Sequence, residues 1–167
     1  ISGALFLIVG MIYERRHTRM IADFGGLAKV MPVFAAFFMI VTLSSIGLPG
    51  LNGFVGEFLI LLGTFRSNVV YAVFAATGVI FAAVYMLWMF QRVMFGEVTK
   101  EENRHLKDLS LREIGILASI LIFIFWIGIY PKTFLSKTET SVTHFLTEFN
   151  KKYEACIQKE KNYLVLN

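Results

Sequence analysis

The sequence predicts an all-α membrane protein: polytopic helices, one partial and three spanning, the first full span broken near Pro49, then a C-terminal amphipathic helix. Three observations carry that prediction. Hydrophobic residues make up 56% of the chain and charged residues 17%, and the mean hydropathy is +0.65, more apolar surface than a soluble domain of this size can bury. The apolar residues are also clustered, since segments 31–65, 67–91 and 114–131 hold no charge other than Glu57. A helix of a soluble protein would show a polar face at every turn, and these do not.

The opening "ISGALFLIVGMIY", residues 1–13, is about 20 Å of helix against the roughly 30 Å of a bilayer core, so it reads as the end of a truncated span. It has no basic n-region and no cleavage site, which excludes a signal peptide. The charged loop "YERRHTRMIADFGGLAK" follows, and Pro32 then falls in the first turn of the next helix, where its missing N–H does no harm. Segment 31–65 would be about 50 Å as one helix, too long for an ordinary span. Gly47, Pro49, Gly50, Gly53 and Gly56 resolve the excess by splitting it into half-helices, one ending near Ile46 and one starting near Phe54.

The next span covers 67–95, with Ser67 or Asn68 as N-cap and Gly96 ending it. After the charged loop "EVTKEENRHLKD", Ser110 and Glu113 have the spacing of a capping box for the span 111–131, which Pro131 stops. The tail 132–167 differs in kind. Val142, Phe145, Leu146, Phe149 and Tyr153 recur at helical spacing among Lys, Glu and Thr, the pattern of an amphipathic helix on a membrane surface or a neighbouring subunit.

Basic residues set the orientation. Arg15, Arg16, Arg19, Lys29, Arg92, Lys100, Arg104, Lys107 and Arg112 lie in or beside the two long loops, against Arg66, Lys132 and Lys137 near the other ends, which places those loops on the cytoplasmic side. The net charge of +4 is modest and no aromatic-interleaved arginine surface is present, so the composition argues against nucleic acid as a partner. Cys156 is the single cysteine and can form neither an internal disulfide nor a zinc or redox motif. His17, His105 and His144 fall in loops or tail and read as solvated. Tyr85, Met86 and Trp88 read as helix packing and interface anchors rather than a cofactor box.

The stretch "SSIGLPGLNGFVGEFLILLG" carries the chemistry. In hydrocarbon an unpaired peptide group costs several kcal/mol, so irregular backbone survives only where protein or a water-filled cavity covers it. A proline kink alone is most often structural. Here it is joined by glycines, by Asn52 and by Glu57, and an ionised residue at membrane depth costs about 2.5–3.5 kcal/mol even on the mild insertion scale. Placed in about the first turn of the second half-helix, Glu57 has its ionised form favoured by the helix dipole and its neutral form favoured by burial. A carboxyl held between those effects suits a proton relay. A mere cap is disfavoured, because Asn52 lies five residues earlier and not the three of a capping box.

The ordered set "SGALFLIVGMIYERRHTR", "MPVFAAFFMIVTLSSIGLPGLNGFVGEFLIL", "YMLWMFQRVMFGE", "LSLREIGIL" and "GIYP" resembles the C-terminal part of the subunit M family of proton-pumping NADH:quinone oxidoreductase, respiratory complex I, the counterpart of mitochondrial NADH dehydrogenase subunit 4. The resemblance covers roughly residues 1–135, and "LPGLNGFVGEF" is its most specific part. It implies antiporter-like inverted repeats, each with a broken helix, and makes Glu57 the acid at the outer end of a proton path. Gly47, Pro49, Gly50, Asn52, Gly53 and Gly56 would support it. The sister subunits and the multi-subunit cation/proton antiporters usually carry lysine at that position, so the glutamate favours subunit M over an antiporter or a related membrane-bound hydrogenase. The resemblance further implies a multi-pass protein of the bacterial inner membrane, or equivalently the mitochondrial inner membrane, with other membrane-arm subunits and the lipid bilayer as partners. The family's histidine before "SGALF" and its first-repeat lysines and glutamate are not in this chain. No residues here would bind NADH, flavin, an iron–sulfur cluster or quinone, and no cofactor or metal is expected on the chain.

Overall fold

The computed structural model describes the backbone of residues 1–165 and the side chains of residues 1–153 and 157. Among them every regular element is helical. In order these are α1 (Ser2–Arg16), a 3₁₀ turn at Ile21–Asp23, α2 (Leu27–Val30), α3 (Pro32–Ser45), α4 (Asn52–Ser67), α5 (Val69–Met94), α6 (Glu101–Arg104), α7 (Leu111–Ile129) and α8 (Lys132–Val165). Among the described residues two helices are long and apolar enough to cross a membrane, α5 and α7.

Local chemistry explains the ends. Pro32 is the first residue of α3. The Asn68 side chain accepts hydrogen bonds from the N–H groups of Val70 and Tyr71 at 2.9 and 3.3 Å, capping α5. Ser110 and Glu113 form a complete capping box on α7. α7 ends at Ile129, just before Pro131, which has no N–H to continue the ladder.

The elements of residues 1–130 form one compact unit. Its core lies where α1, α3, the C-terminal end of α5 and α7 meet, with Ile8, Phe34, Met94, Leu117 and Ile124 almost fully buried. A row of rings runs through it, Phe34 to Phe38 at 6.1 Å, Phe38 to Phe90 at 5.4 Å and Phe90 to Phe95 at 5.7 Å. The middle of α5 is different: Phe74, Ile80, Phe81 and Val84 are 71%, 63%, 69% and 61% exposed. An apolar stretch of that kind needs lipid or further protein around it.

The charged loops are tied down rather than free. Arg15 donates from Nη1 and Nη2 to the two carboxylate oxygens of Glu113, each at 2.8 Å, from Nε to the carbonyl of Lys107 at 3.0 Å and from Nη2 to the carbonyl of Asp108 at 3.3 Å. That hydrogen-bonded carboxylate raises the Arg15 pKa above its ordinary value. Asn103 is fully buried; it accepts from Arg16 Nε at 2.7 Å and donates to the carbonyl of Asp23 at 2.9 Å. Arg15 and Arg16, expected in the first charged loop, lie in the last turn of α1 and bond to the loop between α5 and α7. His17 caps α1 in a left-handed conformation and is exposed, and so are His105 and His144.

The second unit, residues 131–167, is built on α8. Val142, Phe145, Leu146, Phe149 and Tyr153 form one exposed apolar stripe on it, with Phe145, Phe149 and Tyr153 stacked at 6.3 Å intervals. The side chain of Cys156 and residues 166–167 lie outside the described residues.

Candidate functional site

The apolar segment breaks between Ser45 and Asn52, and the turn is built by Gly47, Leu48, Pro49, Gly50 and Leu51. Gly47 has φ +73, Leu48 N–H donates to the carbonyl of Leu43 at 3.0 Å, and Gly47 N–H donates to that of Ser44 at 3.3 Å. This is a Schellman ending with its glycine at the left-handed position. Pro49 and Gly50 then make a tight turn: Leu51 N–H donates to the carbonyl of Leu48 at 3.1 Å, and Gly50 has φ +91. Proline second and glycine with positive φ third is the residue order of a type II turn. "GLPG" thus ends one helix and turns the chain with the Gly47 and Leu48 N–H groups bonded and no N–H on Pro49 to leave open, which limits the cost of the break in an apolar setting.

The two half-helices are joined by side chains as well. Ser44 Oγ donates to Asn52 Oδ1 at 2.6 Å. A Cβ built on Gly53 would collide with the carbonyl oxygen of Ser44, so the two backbones approach more closely than any residue with a side chain allows. Thr42, one turn before the break, is fully buried, with no hydrogen-bond partner for its hydroxyl among the described residues. From the far side α7 presses Gly128 against the carbonyl of Gly50 and the Cα of Leu51.

Glu57 reaches back into this break. A Cβ on Gly47 would overlap Glu57 Oε2 and lie 3.1 Å from Cδ. The carboxylate is half-buried and makes no ion pair among the described residues. One expectation needs adjusting: α4 begins at Asn52, two residues before Phe54, so Glu57 is its sixth residue and belongs to the second turn. The turn at Pro49–Gly50 and the extended Leu51 complete the reversal early, which frees Asn52 and Gly53 to be helical. The side chain, folding back along the helix, returns the carboxylate to the break.

Of the residues singled out from sequence, Gly47, Pro49, Gly50, Asn52, Gly53 and Glu57 come together here. Gly56 lies inside α4 with nothing within 4 Å of a Cβ built on it. Ser44 and Gly128 belong to the site and were not singled out. A serine pair just before the breaking glycine was a usable signal for Ser44, whereas nothing local marks Gly128, 78 residues after Gly50. Among the described residues no three His, Cys, Asp or Glu side chains are grouped to hold a metal ion.

Among the described residues, apolar helices with an acid folded onto a helix break define a class by architecture, the membrane proteins with discontinuous helices. Residues 1–84 match the family described as NADH:quinone oxidoreductase/Mrp antiporter, TM. The chain belongs to that family. It is 50% identical over 149 residues to NADH-quinone oxidoreductase subunit M of Rickettsia conorii, covering 89% of this chain and 30% of that protein. It is 41% identical over 146 residues to NADH-ubiquinone oxidoreductase chain 4 of Marchantia polymorpha, covering 87% of this chain and 30% of that one. A chain of respiratory complex I from Thermus thermophilus with bound NADH superposes with a TM-score of 0.73 at 38% identity, covering 80% of this chain and 28% of the other. The chain therefore spans about 30% of the length of the curated relatives it matches.

Proposed function

We propose that this chain is the C-terminal part of a proton-translocating membrane-arm subunit of NADH:quinone oxidoreductase and carries the outer end of a proton path. The observation that supports this reading best is the Glu57 carboxylate folded onto Gly47 at the junction of two half-helices. There the negative pole at the end of α3 meets the positive pole at the start of α4, so a proton arriving or leaving changes the electrostatics of both. Among the described residues no cation pairs with that carboxylate, which leaves it available as a proton-transfer group.

In this reading α3, the break and α4 form one broken span, α5 and α7 are two further spans, and α1 is the end of another. The subunit works inside a redox enzyme but performs no redox chemistry on these residues. It needs no cofactor of its own. Its partners are the other membrane-arm subunits and the bilayer of a bacterial or mitochondrial inner membrane, with no nucleic acid.

The test is a Glu57 series in the assembled complex, read by quinone-linked NADH oxidation and proton uptake in inverted membrane vesicles alongside the amount of complex. Activity should fall in the order Glu, Asp, Lys, Gln. Glu57→Asp keeps the exchangeable group on a shorter stem, Glu57→Lys substitutes a group that also loads and releases a proton, and Glu57→Gln removes exchange at nearly constant shape. Parent-level pumping by a fully assembled Glu57→Gln complex would make the acid structural.

A further inference from the structure

The start of α3 has no capping oxygen of its own, because its N-cap residue is Met31. Pro32 has no N–H. The next two N–H groups, of Val33 and Phe34, both donate to the Asp108 carboxylate, at 2.9 Å to Oδ2 and 3.0 Å to Oδ1. Ala35 N–H is the first to find a partner along the helix, the carbonyl of Met31 at 3.0 Å. Asp108, from a loop 75 residues beyond Val33, thus satisfies the N–H groups that the first turn of α3 leaves open.

Asp108 is itself fixed. Its Oδ1 accepts from Leu109 N–H at 2.7 Å, and its carbonyl accepts from Arg15, which holds Glu113 with the same guanidinium. Two residues on, Ser110 begins the capping box of α7. The short loop from Lys107 to Ser110 therefore sets where two helices start.

Those two helices end on the break. α3 carries the position of Asp108 from Val33 to Ser44, about 16 Å, where Ser44 bonds Asn52 and packs on Gly53. α7 carries it from Leu111 to Gly128, about 26 Å, where Gly128 packs on Gly50. The Gly53–Ser44 and Gly128–Gly50 approaches are backbone against backbone, so an axial shift of either helix is not absorbed there by a flexible side chain.

We propose that Asp108 is a positioning residue for Glu57. By locking the start of α3 to the start of α7 it sets how the half-helices meet, and so where the Glu57 carboxylate lies against Gly47. The inference rests on Glu57 as the proton relay, and its test separates the two.

The assembled complex is compared as parent, Asp108→Ala, Asp108→Asn and Glu57→Gln, with three readouts: amide hydrogen exchange of peptides covering α3, kcat and KM for NADH with proton uptake in inverted vesicles, and the amount of complex. Asp108→Ala should speed exchange at the start of α3 roughly fivefold to tenfold. It should lower kcat and proton uptake about threefold or more, with KM for NADH unchanged. Asp108→Asn keeps one of the two acceptor oxygens and turns an amide NH2 toward the N–H of the other, so it should recover part of both and fall between Asp108→Ala and the parent. Parent-level turnover or unchanged exchange in Asp108→Ala overturns the proposal. So does equal failure of the Ala and Asn variants to assemble, which would assign Asp108 to folding alone. Parent-level pumping by Glu57→Gln sinks the relay reading only, because the exchange readout involves no proton transfer and still decides whether Asp108 fixes α3.

Discussion

The Glu57 carboxylate occupies the space that a side chain on Gly47 would fill. The two residues are ten apart and sit on opposite sides of a helix break, so the contact exists only because Gly47 ends α3 in a left-handed turn while α4 folds Glu57 back toward it. Position 47 thus faces two demands at once, a φ of +73 and the absence of a Cβ.

Gly47→Ala tests that pairing. The left-handed conformation costs an alanine roughly 1–2 kcal/mol, and the methyl group must displace the carboxylate. Proton uptake should fall about as far as in Glu57→Gln, and the double variant Gly47→Ala/Glu57→Gln should fall little further, because both changes act on the same group. Additive losses in a complex assembled to parental amounts would mean that Gly47 matters only for the turn.

Gly128→Ala tests the support from α7. A methyl group there would meet the Gly50 carbonyl and Leu51 backbone, neither of which can rotate away. The cost should lie toward the upper end of the about 1–3 kcal/mol of an overpacked core site. Reduced assembly or a lower inactivation temperature is expected, measured in detergent-solubilised complex. By contrast Gly56→Ala, with open space at its Cβ in this chain, should leave stability unchanged or slightly raised through better helix propensity. A loss at Gly56 equal to that at Gly128 would place another segment against Gly56.

Arg15→Lys tests the clasp between α1 and α7. The guanidinium satisfies both Glu113 oxygens and two loop carbonyls with one planar group, and both ion-pair side chains are largely buried, at 17% and 15% exposed. An ammonium keeps the charge but loses the forked geometry. About 1–3 kcal/mol of stability should go with it, seen as faster thermal loss of assembled complex, while Lys29→Ala changes little. Parental stability of Arg15→Lys would reduce the clasp to a simple charge pairing.

The break was legible in the sequence because proline and clustered glycines inside an apolar segment have few other uses. The capping box on α7 was legible for a related reason, since Ser110 and Glu113 are three residues apart and local spacing is what a sequence displays. The partners that hold the site are not local. Asp108 caps a helix 75 residues earlier, Arg15 clasps Glu113 across 98 residues, and Gly128 meets Gly50 from another helix. Each looks ordinary in its own neighbourhood. Arg15 and Asp108 read as loop charges and Gly128 as a helix glycine, and only packing gives them their roles. The turn occupied by Glu57 was misplaced on similar grounds, because the tight Pro49–Gly50 turn lets α4 begin earlier than the glycine pattern suggests.

Cysteine labelling tests the orientation. Arg16 bonds Asn103 and pairs with Glu102 at 2.6 Å, so the end of α1 and the loop after α5 lie together at one end of the unit. α5 separates that end from Ser67 by 26 residues, about 39 Å of helix, more than the roughly 30 Å of a hydrocarbon core. His17, Glu101 and Ser67 are all exposed, so single cysteines there, in a Cys156→Ser background, should react freely with a membrane-impermeant maleimide. His17→Cys and Glu101→Cys should be labelled only in inverted vesicles, where the basic loops face the medium, and Ser67→Cys only in right-side-out ones. If Ser67→Cys and Glu101→Cys react from the same side, α5 does not cross the membrane, and the half-helices joined at Gly47 and Glu57 lose the transmembrane setting that a proton relay requires.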